Sequence, residues 1–286
     1  MNYIKYVLIT PAHNEQDYIE YAIKSILSQT LKPLRWVIVN DGSTDNTKNI
    51  VEQYVKRHNF IKLVNLERDG GHDFGRKSIA FKVGYSEIRD LEFNYIGNLD
   101  ADIYLEPDYY ENVLRKLNED NNLGIGGGIV YTKIGNRFFT SDETLDSVGG
   151  AVQLFRRPCF EAVGGLVPLE YGGEDAAAEI KAKMLGWKVR KYPDQKVFEQ
   201  RRTGSAGLSL LGSKIREGQR FHSLGYDFLF YVIRCIYRLK DRPYVIGSIA
   251  ALYGFIESII RCRSILLPEN VVIYLRAEQR RRLNIL

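Results

Sequence analysis

Residues 36–51 read WVIVNDGSTDNTKNIV. Its opening run, Trp36-Val-Ile-Val39, is apolar without alternation, the mark of a strand buried on both faces. It closes on Asn40-Asp-Gly-Ser-Thr-Asp-Asn-Thr47, residue types that favour turns and helix N-termini, with Asp45 as the expected N-cap. Ile50, Val51, Tyr54 and Val55 then recur at helical spacing. Upstream, Tyr6-Val-Leu-Ile-Thr10 is a similar run, followed by Pro11-Ala-His-Asn-Glu15 and a helix carrying Ile19, Ala22, Ile23, Ile26 and Leu27. Downstream, residues 61–66 predict a third strand, 76–88 a helix and 93–99 a fourth strand that ends in Asp100-Ala101-Asp102. Doubly buried strands joined by helical crossovers dictate a parallel α/β sheet. Past residue 120, 124–130 and 150–155 predict strands, 175–185 a helix and 187–192 a short strand.

The 286 residues are 45% apolar and 26% charged, which excludes disorder, collagen and coiled coil. Cys159, Cys235 and Cys262 lie too far apart for a disulfide scaffold or zinc finger and suit a reducing cytosol. The first ten residues carry no signal-peptide pattern. The net charge of +5 is unevenly spread: residues 201–286 hold 15 basic and 6 acidic side chains, leaving the rest mildly acidic. A basic, apolar-aromatic, helical tail from about residue 208 points to an anionic partner. Leu224, Phe228, Tyr231 and Cys235 recur every three or four residues as one apolar stripe, followed by Arg234, Arg238, Lys240 and Arg242, with Arg261 and Arg263 further on. That pattern fits the surface of an anionic membrane better than a nucleic-acid groove, and packing against the body is the plainer alternative. The longest charge-free apolar-rich run, 243–256, is shorter than the roughly 20 residues of a membrane span.

Chemistry gathers where strands end, because ligands of open α/β sheets bind at carboxyl edges. Asp41 closes the second strand with a carboxylate expected to be free to accept hydrogen bonds. Asp100 and Asp102, two residues apart, fall on one face and repel unless a cation lies between them. Oxygen ligands of this kind suit Mg²⁺ or Mn²⁺ holding a diphosphate. Gly172-Gly-Glu-Asp175 opens a helix; its acids suit the helix dipole in any case, but paired glycines also let backbone pass close to a ligand. The string Gly124-Ile-Gly-Gly-Gly128 precedes no helix, so a dinucleotide-binding dehydrogenase is set aside.

Thr10-Pro-Ala-His-Asn-Glu15, Asn40 to Thr47, Asp100-Ala-Asp102 and Glu174-Asp175, in that order, resemble a glycosyltransferase of family 2 over about residues 5–205. The resemblance implies a GT-A fold, a mostly parallel Rossmann-like sheet flanked by helices over 1–207, with a basic helical extension over 208–286. It implies an inverting transfer from a nucleotide-sugar donor, UDP-linked by preference, to a saccharide or lipid-linked saccharide, at the cytoplasmic face of a membrane. Thr10, Ala12 and Glu15 would line the nucleotide pocket; Asp41 would accept from the base, Gly42 and Ser43 keep the wall thin, and Arg76 or Lys77 approach base or diphosphate. Asp100, beside Ala101, would sit near the ribose and metal; Asp102 would coordinate Mn²⁺ or Mg²⁺. Asp175 would be the catalytic base, with Glu174 helping to hold the acceptor. Many relatives add a histidine ligand after the last strand, where this chain reads Phe198-Glu-Gln-Arg-Arg202 and Glu199, Gln200 or a water would take its place. Two alternatives share the first motifs: a polyprenyl-phosphate sugar synthase, whose acceptor phosphate needs no base, and a non-catalytic nucleotide-sugar-binding protein.

Overall fold

The computed structural model describes residues 4–67, 75–140, 144–200, 209–241 and 243–283. The chain divides into two compact units: 1–168 with 174–202, and 169–173 with 203–286. The expected boundary at 207/208 lies outside the described residues, and the second unit also takes in 169–173.

The first unit begins with β1 (Tyr6–Ala12), α1 (Ile19–Leu27), β2 (Arg35–Asp41), α2 (Thr47–Val55), β3 (Ile61–Leu66), α3 (Arg76–Ser86) and β4 (Tyr95–Asn98). These four strands are parallel in the order β3-β2-β1-β4, with Ile9 level with both Val37 and Asn98. Alternation sorts their side chains between two cores. Tyr6, Leu8, Trp36 and Ile38 pack on one face with Ile19 and Ile23 of α1 and Val51 of α2. Val7, Ile9, Val37 and Val39 pack on the other with Ala80 and Phe81 of α3. Both faces being covered explains why the strands read as unbroken apolar runs.

The remainder is β5 (Ile103–Leu105), α4 (Tyr109–Glu119), β6 (Leu123–Ile134), β7 (Arg137–Phe139), β8 (Leu154–Arg156), α5 (Arg157–Val163), α6 (Glu174–Met184) and β9 (Lys188–Glu199). The sheet continues β4-β8-β6-β9-β5 with β7 paired to β6, and it is mixed: β8 runs antiparallel to β4 and β6, and β5 to β9, while β6 and β9 are parallel. The strand expected over 150–155 is shorter than its apolar run. Only 154–156 pair, because the backbone of 150–153 turns to make contacts described below.

The second unit holds α7 (Leu210–Ser223), α8 (Phe228–Tyr237), α9 (Tyr244–Ile260) and α10 (Glu269–Arg282). Ser209 Oγ accepts from Gly212 N (3.0 Å) and Asp227 Oδ1 from Phe230 N (3.2 Å), capping α7 and α8. Its core is Phe221, Tyr231, Cys235 and Phe255, with Tyr231 stacked on Phe255 at 4.4 Å between ring centroids. The expected stripe is therefore mainly a packing face: Leu224, Tyr231 and Cys235 are buried and only Phe228 is exposed. α8 is apolar on more than one side, so spacing alone could not say which side meets solvent.

Gly84 of α3 lies against the sheet, where a Cβ would come within 2.6 Å of Ile9 Cγ2 and 3.1 Å of Val39 Cγ2. Alanine would improve helix propensity by about 1 kcal/mol. Ile9 and Val39 are fully buried and have nowhere to move, and overpacking costs about 1–3 kcal/mol. Gly84→Ala is expected to lower Tm, measured by calorimetry; a rise would show that the crossover yields.

Candidate active site at the carboxyl edge of the sheet

β1, β2 and β4 end side by side, which brings Glu15, Asp41 and Asp100 to one edge. Gly42 turns the chain after β2 at φ 60°, a region where a Cβ is strained. Ser43 Oγ then accepts from Asn14 N (3.0 Å), and Thr47 Oγ1 from Glu15 N (2.8 Å), so the two loops are sewn together. Asp45, the expected N-cap, lies one residue ahead of the N-cap position and makes a local turn instead, accepting from Thr47 N (3.0 Å), Thr47 Oγ1 (2.6 Å) and Gln16 N (3.0 Å). The flanking residue of α2 is Asn46.

The Asp41 carboxylate is not free. Arg76, at the start of α3, donates to it from both Nη2 and Nε, and Nη2 also reaches Glu67 O at 3.1 Å. A buried carboxylate at a strand end requires a counter-charge, and the guanidinium fork supplies it. Thr10 is fully buried and its hydroxyl accepts from Trp36 Nε1 (2.9 Å), so its side chain belongs to the core. Ala12 and Ala101 are likewise buried.

Lys77, the next residue of α3, donates to Asp100 at 2.7 and 2.9 Å. Its side chain is 34% exposed, yet burial of the ammonium acts to lower its pKa; Asp100 first, then Glu174 and Asp175, outweigh that and hold it above the usual lysine range. Burial pushes the Glu174 carboxyl up, and Asp175 and Asp100 add to that against the pull of Lys77. The Asp-x-Asp turn and the Glu-Asp helix start thus share one electrostatic environment around Lys77.

Asp102 is buried, and its carbonyl accepts from Gln200 N (2.9 Å). Glu199 lies level with Ile103 across β5 and β9, but its Oε2 takes the Thr132 hydroxyl at 2.7 Å. No group of three or more His, Cys, Asp or Glu side chains among the described residues has the arrangement of a metal site. Asp100 and Asp102 stand in the turn after β4, with Asp100 on Lys77, and both offer the oxygen donors a hard cation uses. Mg²⁺-like ions use one or two carboxylates and complete their shell with water and substrate phosphates.

Residues 148–153 join the two acidic motifs. Gly150 N donates to Asp175 Oδ2 (3.1 Å), and Gly150 O accepts from the Asn98 amide, which also reaches Asp100 Oδ1 at 3.3 Å. Asp100 N donates to Ala151 O (3.0 Å). Beneath them Glu179, one turn along α6 from Asp175, accepts from Val148 N (2.6 Å) and Gln153 Nε2 (3.1 Å). Asn98, Gly150, Gln153 and Glu179 were absent from the sequence-based site. Two signals could have found them: Asn98 precedes Asp100 on the same face, and Glu179 is a lone acid among Ala177, Ala178, Ile180 and Ala182, which needs a partner if buried.

This edge, with acids at three loops and cations facing them, is the candidate site of an α/β protein. Residues 7–165 match the model of glycosyl transferase family 2. The chain belongs to that family. It is 33% identical over 139 residues to a chondroitin synthase of Pasteurella multocida, an alignment covering 49% of this chain and 13% of that protein. This chain thus matches a small part of that much longer relative. Its fold is that of Staphylococcus aureus TarS 1-349 in complex with UDP-GlcNAc (TM-score 0.57, 19% identity, 91% of this chain and 74% of that one). A mannosyltransferase of Pyrobaculum calidifontis in complex with GDP-Man and Mn²⁺ superposes equally well (TM-score 0.57, 16% identity, 100% and 82%). Both are GT-A folds.

Two outcomes follow from the 148–153 turn. A Cβ on Gly150 would lie 2.7 Å from Asp175 Oδ2 and 2.9 Å from its Cγ, so Gly150→Ala must push that carboxylate aside. Misplacement on this scale costs about 10²-fold in rate; kcat for transfer is expected to fall by that order with donor KM little changed, and an unaltered kcat would remove Asp175 from the chemistry. Glu179 offers a pH test. Burial, with Asp175 adding, raises its carboxyl from 4.5 to about 7 against the pull of Val148 N–H. The folded chain then holds this proton more tightly than the unfolded chain, so stability is lost as pH rises from 4.5 through about 7. Glu179→Gln keeps an acceptor without the charge, and its Tm advantage over the parent is expected to grow between those limits and level off above them.

Proposed function

We propose that the chain is a metal-dependent, inverting glycosyltransferase of polysaccharide biosynthesis. It would move a sugar from a nucleotide-diphosphate donor, UDP-linked by preference, to a hydroxyl of a saccharide or lipid-linked saccharide. The extension over 208–286 would contact an anionic membrane at its cytoplasmic face. One observation carries this reading: the Gly150 peptide ties the Asp175 carboxylate to the Asn98–Asp100 strand end. A proton acceptor is thereby held in fixed relation to the place where a diphosphate would bind.

The roles follow from chemistry. Asp41, steadied by Arg76, keeps lone pairs that would accept from a nucleobase N–H; uracil presents one, as does guanine. Lys77 would turn from Asp100 toward the diphosphate when the donor enters, exchanging one anion for another. Asp102 and Asp100 would hold a Mn²⁺ or Mg²⁺ ion, which when bound stabilises the charge growing on the leaving diphosphate. Asp175, with Oδ2 held by Gly150 N–H, would take the acceptor hydroxyl's proton as that oxygen attacks the anomeric carbon opposite the leaving group. Glu174, raised toward its neutral form, could donate a hydrogen bond to the acceptor. Support for the substrate class comes from the names of relatives: a poly-β-1,6-N-acetyl-D-glucosamine synthase of Staphylococcus epidermidis is 25% identical over 192 residues, covering 63% of this chain and 46% of that enzyme.

The test is a panel of UDP-, GDP- and TDP-sugars assayed for hydrolysis and transfer with Mn²⁺, Mg²⁺ or EDTA. Turnover of one donor class, lost in EDTA and in Asp102→Ala, is expected. Asp175→Asn should still bind nucleotide while transfer drops about 10²–10⁴-fold. Full activity in EDTA overturns the metal role. Unchanged transfer in Asp175→Asn favours the lipid-phosphate acceptor of a polyprenyl-phosphate sugar synthase.

A further inference from the structure

α9 is built inside out. Its residues turned into the second unit are small or polar: Gly247, Ser248, Ala251, Gly254 and Ser258, with Phe255 the one large exception. Those turned outward are large and apolar: Ile246 is 62% exposed, Ile249 60%, Tyr253 59% and Ile260 75%. These four recur at intervals of three, four and seven, one straight row along the helix. The helix's single charged side chain, Glu257, is satisfied within the unit by Arg261 (2.7 Å), Arg263 (2.9 Å) and Gln219 (3.2 Å). Ser258 Oγ donates back to Gly254 O (2.9 Å).

The inward side shows why small residues are needed there. A Cβ on Gly254 would run into the Ile215 carbonyl, and one on Gly218 of α7 into the Ala251 carbonyl, so α7 and α9 cross with backbones in contact. Small residues at the crossing, polar groups inside and bulky aliphatics outside are how helices are arranged when their surroundings are hydrocarbon. α8 adds exposed Leu229, Ile233, Ile236 and Tyr237, the first three again at helical spacing.

The helix does not cross a bilayer. No helix among the described residues is long and apolar enough. Cations lie at both ends of the apolar row: Lys240 just before α9, and Arg261 just after it with its side chain 67% exposed. Tyr237, Tyr244 and Tyr253 are exposed along the same stretch, and tyrosine favours the depth where acyl chains meet headgroups. Residues 228–263 carry six basic and two acidic side chains, an excess of four cations; within it Arg238 pairs with Asp241, and Arg261 and Arg263 with Glu257. Stacking a second copy on this row would bring like charges together, whereas anionic lipid would neutralise them.

We propose that the outward row Ile246-Ile249-Tyr253-Ile260 of α9, with the exposed aliphatics of α8, is a membrane-docking face that lies in the plane of an anionic leaflet, its aliphatics in the acyl boundary and Lys240 and Arg261 at the phosphates. This deepens the reading of a membrane-peripheral enzyme by naming the surface, and it differs from the stripe that spacing alone suggested. The experiment uses the full chain and vesicles of phosphatidylcholine with or without phosphatidylglycerol. Co-sedimentation with the phosphatidylglycerol vesicles is expected at low salt and should fall about tenfold or more at high salt. The triple variant Ile246→Ser, Ile249→Ser, Tyr253→Ser changes exposed side chains only and should keep the parent's circular dichroism and donor turnover while losing vesicle binding. Binding that survives the triple variant, or no binding at low salt, overturns the proposal. So does a dimer in sedimentation velocity that the triple variant dissociates, if vesicles are not bound. Vesicle binding needs no donor, so a chain that docks but turns over no nucleotide sugar supports this face and defeats the catalytic reading instead.

Discussion

A single residue, Gly150, answers to both halves of the candidate site: its N–H holds Asp175 and its carbonyl takes the Asn98 amide. Since Asn98 also reaches Asp100, the carboxylate at the head of α6 and the acids at the end of β4 share one rigid link. The link needs glycine, because a Cβ there would occupy the space of the Asp175 side chain. It also needs β8 to stay short. Had Gly150 been drawn into the strand, its N–H and C=O would be spent on ladder bonds and would hold neither Asp175 nor the Asn98 amide.

Around that link the protein solves a charge problem. Acids gathered at one sheet edge repel, and each therefore finds a cation or a neutralising environment. Arg76 answers Asp41, Lys77 answers Asp100, and burial favours the neutral form of Glu174. Arg76 and Lys77 are consecutive, on the first turn of α3, so one helix start supplies both counter-charges. The arrangement is stable without ligand yet exchangeable. Under the proposed function, a diphosphate accompanied by a divalent ion would bring its own anion and cation, and Lys77 and Asp100 would trade partners without either being stranded in a buried place.

The first hundred residues were legible because physics there is local. Strands covered on both faces read as solid apolar runs, and the crossovers between them as periodic helices; Asp41, Asp100, Asp102 and the Glu174-Asp175 pair stand out at the ends. What escaped depends on long-range bonding. The run Gly150-Ala151-Val152-Gln153-Leu154-Phe155 reads as a strand throughout, and only the bonds of Gly150 to Asp175 and Asn98 and of Gln153 to Glu179 show what its first half does instead. Arg76 on Asp41 was invisible for the same reason: 35 residues separate them, and the pairing exists only once α3 packs beside β2.

The helical extension shows a different limit of pattern reading. Spacing identified an apolar stripe on Leu224, Phe228, Tyr231 and Cys235, yet three of those four are inside. A hydrophobic stripe marks a buried face only when the opposite face is polar. In α9 the usual sign is reversed: serine and glycine face in, isoleucine faces out. Water penalises such a helix for every exposed aliphatic, which is why that row is the one proposed to meet lipid. Reading which residues are small, not which are apolar, is what distinguishes the two sides, because backbone-to-backbone crossing demands glycine at Gly218 and Gly254 and leaves most bulky residues of α9, Phe255 excepted, on the outside.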